Sequence, residues 1–168
     1  MARKATRALV MTLVMTLLMA LLMALPVTAA QAGQGVREFP PTIGALKLVK
    51  LLTQGQARDS LNSIHDEKIE VAQAAIAYYE GEPGKAVVWW SRAANDAQAG
   101  DQLDRMVSKI KQFGYNYRDC REFSRNGIKV YSLSGKGQLH YTWRQGDQVL
   151  WIQAPAGLIE AVFDAVAR

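Results

Sequence analysis

Between Tyr117 and Gln153 the chain carries a turn signal about every ten residues, a spacing that admits strands and leaves no room for helices. Asn126-Gly127 suits a type I′ turn, because both residues tolerate positive φ. Gly135-Lys136-Gly137 marks the next reversal, and Arg144 to Gln148, centred on Gly146-Asp147, marks a third. Between these turns Ile128 to Leu133 has strand length. Leu139, Tyr141 and Trp143 then alternate with His140, Thr142 and Arg144, as in a strand with one face buried. Val149 to Gln153 is the last strand of the meander, and a three-residue loop before it would set Tyr141 opposite Trp151.

Such a sheet needs a covering layer, and Asp96 to Phe113 supplies one. Ala99, Leu103, Met106, Ile110 and Phe113 recur at intervals of four and three, giving a helix with one apolar stripe. Asn95 can cap its first turn with Gln98 three residues on, and Gly114 can end it. Asp96, Asp101 and Asp104 lie toward its start and Lys109 and Lys111 toward its end, which complements the helix dipole. Upstream, Ala45 to Leu52 reads as a strand, and Gln54 to His65 as a helix with Ala57, Leu61 and Ile64 on one side. Residues 66 to 80 have helical propensity. Gly81-Glu82-Pro83-Gly84 followed by Ala86 to Trp90 nevertheless has the form of a hairpin, so these residues are assigned to its first strand. Pro155 suits the start of a terminal helix with Leu158, Ala161, Val162 and Ala165 on its apolar side. The expected fold class is α+β: an antiparallel sheet built as a hairpin meander, with two to three helices packed mainly on one face.

The first 32 residues have a different character. Arg3, Lys4 and Arg7 precede an apolar run from Ala8 to Leu25, and Pro26 leads into Ala30-Gln31-Ala32, the pattern of a cleavable secretory signal peptide. Cleavage is expected after Ala32, followed by a linker over 33–41 and a single domain over 42–168. The product is then expected in the periplasm or outside the cell, meeting a membrane only through the signal peptide before cleavage. Three of the 20 basic residues and none of the 15 acids lie in the leader, so the whole-chain charge of +5 falls to +2 once it is removed. Nucleic acid is therefore not an expected partner. Charge is uneven along the chain, acids exceeding bases by five over 66–104 and bases exceeding acids by seven over 105–144. Scattered surface pairs or a basic face would both account for this. Cys120 is the sole cysteine, so no disulfide forms within the chain.

Motifs that carry chemistry are sparse. The chain has no Gly-x-Ser-x-Gly elbow, no P-loop and no dinucleotide glycine fingerprint. His65 with Asp66, Glu67 and Glu70 is poorly spaced for a metal, because adjacent side chains diverge on a strand and on a helix alike. No metal or cofactor is expected. Cys120 and His140 would form a thiol and base pair if their strands were adjacent. Aromatic and basic residues offer the more concrete surface. All four tryptophans, Trp89, Trp90, Trp143 and Trp151, fall in expected strands, and the consecutive Trp89 and Trp90 must leave opposite faces. Trp90 with Arg121, Arg125, His140 and Arg144 would suit a glycan or anionic polymer through stacking and cation–π contact. The functional expectation is an exported, non-catalytic binding or interaction domain with a protein or cell-envelope partner. A small thiol-dependent enzyme using Cys120 and His140 is the alternative.

Overall fold

The computed structural model describes residues 35–63, 68–114 and 116–167. In chain order its elements are β1 (Thr42–Ile43), β2 (Leu46–Thr53), α1 (Gln54–Ser63), β3 (Gln73–Gly81), β4 (Gly84–Arg92), α2 (Asp96–Phe113), β5 (Tyr117–Arg125), β6 (Ile128–Gly135), β7 (Gln138–Gln145), β8 (Gln148–Ala154) and α3 (Ile159–Val166). The eight strands form one antiparallel sheet in the order β1-β2-β3-β4-β8-β7-β6-β5. Two meanders thus meet in its middle, where β4 pairs with β8. The expected α+β class and the antiparallel meander are both present. Among the described residues no helix is long and apolar enough to cross a membrane.

Local chemistry explains the parts that match expectation. Asn126 and Gly127 take φ of 52° and 74° between β5 and β6, and Lys136 and Gly137 take 52° and 73° between β6 and β7. These are left-handed pairs of the kind a two-residue hairpin needs. Helix α2 spans the expected residues, with the Asn95 side chain accepting from the Gln98 amide at 2.9 Å and the Gly114 amide returning to the Ile110 carbonyl. The Gln98 side chain reaches back to the Ala94 amide at 2.8 Å, completing a reciprocal cap.

Several details differ from the sequence reading, among them the start of β3 at Gln73 and not at residue 66. The buried stripe of α2 is Ala99, Leu103, Val107 and Ile110, while Phe113 is 59% exposed, because the helix turns a four-four-three row to the sheet. Helix α3 likewise buries Ile159, Val162, Phe163 and Val166, and Pro155 lies in the turn before it, accepting from the Leu158 and Ile159 amides. The loop from β7 to β8 holds only Gly146 and Asp147, since Gln145 pairs with Gln148. That shortening by one residue sets Trp151 opposite Thr142, and Tyr141 opposite Ile152. A one-residue slip in a strand sends every side chain to the other face, so Tyr141 and Trp151 lie on opposite sides of the sheet.

Each side has its own cover. The larger core gathers Ala75, Ala77, Tyr79, Val88, Trp90, Tyr141, Trp143, Leu150 and Ile152 beneath α3. The compact unit begins at Val36, ahead of the expected boundary at Thr42, and Val36 and Phe39 pack on this same core. Residues 36–41 are accordingly a strap, pinned where the Tyr79 hydroxyl donates to the Pro40 carbonyl at 2.9 Å and the Leu48 amide donates to that of Pro41. Burial pushes the Tyr79 hydroxyl pKa up to about 12. On the opposite side α1 covers Ala74 and Ile76, and α2 covers Tyr131 and Val149, giving two smaller clusters. Two helices on one face and one on the other satisfy the expectation that helices lie mainly on one side.

Candidate functional site

The five residues singled out from sequence are not brought together. Trp90 is fully buried under the strap and α3, its indole N–H donating to Gln148 Oε1 at 2.6 Å, so it offers no surface for stacking. Arg125 clasps the end of β5 to α3: its guanidinium donates to both Asp164 oxygens at 3.1 and 2.8 Å and pairs with Glu160. Glu160 in turn accepts from the Tyr141 hydroxyl at 2.6 Å. Burial, and then that hydrogen bond, push the Tyr141 pKa up to about 12. Arg144 lies on the opposite face, donating to the Gly146 carbonyl and facing Asp96 at 3.8 Å. Arg121 is exposed on the edge strand β5. The Arg144–Asp96 pair bridges the acidic and basic stretches of the chain, whereas the pairs Lys85–Glu80, Arg92–Asp147 and Lys129–Glu122 do not.

What the fold does assemble is an aromatic strip between α1 and α2. Helix α1 rests on β2 and β3, and α2 on β5, β7 and β8, leaving β4 between the two footprints. On this face Ile76, Trp89, Trp151 and Thr142 form one row of cross-strand neighbours, and Lys50, Tyr78, Val87, Gln153 and His140 form the next. Tyr78, Val87, Trp89, Trp151 and Gln153 are half-buried. At one end stand Lys50, with its ammonium 5.7 Å from the Tyr78 ring centre, and Lys85, paired to Glu80 at 2.8 Å. Toward the other end an open depression of about 420 Å³ is lined by Arg58, Val71, Ala72 and Gln98 among others.

The back wall of the strip is built around His140. This side chain is 1% exposed, and both ring nitrogens are engaged: Nδ1 accepts from the Trp151 indole N–H at 3.1 Å, and Nε2 lies 3.2 Å from the Gly135 carbonyl. An indole N–H can only donate, so Nδ1 is bare and the proton sits on Nε2, donating to Gly135. Burial and the nearby Lys136 push the imidazole pKa down, against the opposing pull of the Gly135 hydrogen bond. Tyr117 packs edge-on against both rings, 5.0 Å from His140 and 5.5 Å from Trp151. Gly135, its cross-strand partner, makes room for it, because a Cβ there would meet the Tyr117 ring at 2.6 Å. His140 therefore orients Trp151 and presents no free nitrogen to a ligand.

The thiol and base pair does not form. Cys120 is on β5 and His140 on β7, with β6 between them. The thiol packs beside Leu103, Val107 and Tyr131, and burial pushes its pKa up despite the opposing influence of Lys111. A catalytic thiol needs the reverse shift. His65, Asp66 and Glu67 lie outside the described residues, and among the described residues no group of three His, Cys, Asp or Glu is placed to hold a metal.

No family model matches the chain, and no curated protein matches its sequence. Among solved structures, it is similar to a GTP binding regulator from Thermotoga maritima at 12% identity, covering 71% of this chain and 73% of that chain, with a TM-score of 0.49.

Trp89 is the residue that sequence reasoning passed over in favour of its neighbour, although a signal was present. The row Lys85-Val87-Trp89-Ser91 has polar ends, while Ala86-Val88-Trp90 is uniformly apolar. Likewise Val149-Trp151-Gln153 carries a polar residue and Leu150-Ile152-Ala154 none. The mixed rows belong to the less completely covered face.

Proposed function

We infer that this protein is an exported, non-catalytic binding module that takes an anionic, sugar-based polymer of the cell envelope on the strip between α1 and α2. The observation that carries this reading is the cross-strand pair Trp89 and Trp151, two half-buried indoles side by side on a helix-flanked sheet face. Indole faces stack on the C–H faces of sugar rings, and they supply large contact area at small entropic cost. Lys50 and Lys85 on the same face would meet the carboxylate or phosphate groups of the polymer. Because the mature chain carries only +2, selectivity for an anion has to come from such local placement and not from net charge. Export is supported by the basic, apolar and small-residue succession of residues 1–32.

Fluorescence titration with an oligogalacturonate, and with neutral dextran of matched length, tests the binding reading. Trp89→Ala is expected to weaken the oligogalacturonate complex at least about tenfold, or ~1.4 kcal/mol. Replacing Lys50 and Lys85 with Ala is expected to lower affinity for the acidic sugar alone. Equal binding by wild type and Trp89→Ala would exclude the strip. Intact mass of the exported protein is expected to start at Gly33, and a mass that includes the leader would contradict cleavage.

A further inference from the structure

We propose that the outer edge of β2, from Val49 to Thr53, is a docking edge for an extended, acidic and apolar segment of a partner protein, which adds to the sheet as a ninth strand. Strand β1 covers only the start of β2, pairing Thr42 with Lys47 and Ile43 with Leu46, and the strap adds a single bond from the Leu48 amide to Pro41. Beyond the irregularity between Leu48 and Lys50, the run from Lys50 to Thr53 pairs regularly with β3 on its inner side. Among the described residues no strand pairs with its outer side. Alternate amides and carbonyls of such an edge point outward and are available to another chain.

Side chains on this edge point to a partner of definite chemistry. Val49 and Leu51 are 55% and 43% exposed, and with Phe113 on α2 they are the large apolar residues most exposed in the described structure. Lys47 and Lys50 project from the same strand, which carries no acid, and the nearby Glu80 is taken by Lys85 at 2.8 Å. Lysine on an edge discourages pairing with a neutral or basic strand, including a second copy of the same edge. A strand alternating acidic and apolar residues instead satisfies the ammonium groups while covering Val49 and Leu51. The far edge of the sheet lacks this character. Strand β5 mixes Arg118, Asp119, Arg121, Glu122 and Arg125, and a break in register between Arg118 and Arg121 interrupts its ladder.

The test uses a fluorescent decapeptide alternating Glu and Val, with a Lys and Val decapeptide as its counterpart, read by anisotropy and by amide exchange. The acidic peptide is expected to bind and to protect amides of residues 49–53, and the basic one to bind at least about tenfold more weakly. Lys50→Glu should invert that preference, and Leu51→Glu should weaken the acidic peptide at least about tenfold. Both positions are exposed, so the variants should unfold in urea as the parent does. Equal binding of the two peptides, binding of neither, or protection at β5 instead would overturn the proposal. A dimer in sedimentation equilibrium that Leu51→Glu abolishes would overturn it too, by making a second copy the occupant.

Discussion

Phe163→Ala is expected to cost about 3–5 kcal/mol of stability, a large part of what a domain of this size possesses. The ring is fully buried on α3, its centre 4.8 Å from that of Trp143 and 6.2 Å from that of Tyr141. The Arg125 guanidinium lies over its face at 5.6 Å. Truncation removes the knob that seats the C-terminal helix in the larger core, and the cavity is bounded by rigid sheet and cannot collapse. With slopes of about 1–3 kcal/mol per molar urea, the unfolding midpoint should fall by at least about 1 M. Asp164→Ala on the outer side of the same helix gives the contrast. Its pair with Arg125 is solvent-exposed, so the expected loss is about 0–1 kcal/mol. Comparable losses for the two variants would mean that α3 is not an integral part of the core.

His140→Leu is expected to destabilise the domain by about 1–3 kcal/mol through the Trp151 indole N–H alone, which is left without its acceptor. It should also remove a pH dependence. The folded imidazole has a pKa below its ordinary value, so the unfolded chain binds the extra proton first as pH falls. The stability tied to neutral His140 is therefore whole above about pH 6.5 and is lost progressively as pH drops below it. Protonation would also set a second N–H against the indole N–H, breaking the bond that orients Trp151. Urea midpoints between pH 7.5 and 5 should fall less steeply in the variant than in the parent. An identical acid slope in the two proteins would show that His140 is not held neutral by the fold.

The two-residue turns and α2 were legible because their determinants are local: Asn126-Gly127 accepts positive φ, and Asn95 and Gln98 cap one another across a single turn. The β7–β8 register was not. Gly146-Asp147 serves a two-residue loop or forms part of a three-residue one equally well, and that single residue decides whether Trp151 joins Tyr141 or Trp89. Pairing of β4 with β8, more than fifty residues apart in sequence, depends on both meanders together and leaves no local trace. The candidate site was therefore only half visible. Alternation placed Trp89 and Trp90 on opposite faces, but the choice between them turned on where α3 and the strap would settle. On helix α3 the expected row is right at Val162 and partly so at Leu158 and Ala165, which pack against the core, but Ala161 is exposed and the centre of the contact falls on Ile159, Phe163 and Val166.

Four indole N–H groups make the decisive reporter of the binding face, two on each side of the sheet. Trp90 and Trp143 donate to Gln148 and Gln145 on the α3 side, whereas Trp151 donates to His140 beside Trp89 on the other. In a proton–nitrogen NMR titration with oligogalacturonate, the Trp89 and Trp151 indole signals are expected to shift together and saturably while those of Trp90 and Trp143 stay in place. Shifts confined to Trp90 and Trp143, or four unmoved signals at saturating sugar, would contradict the assignment of this face.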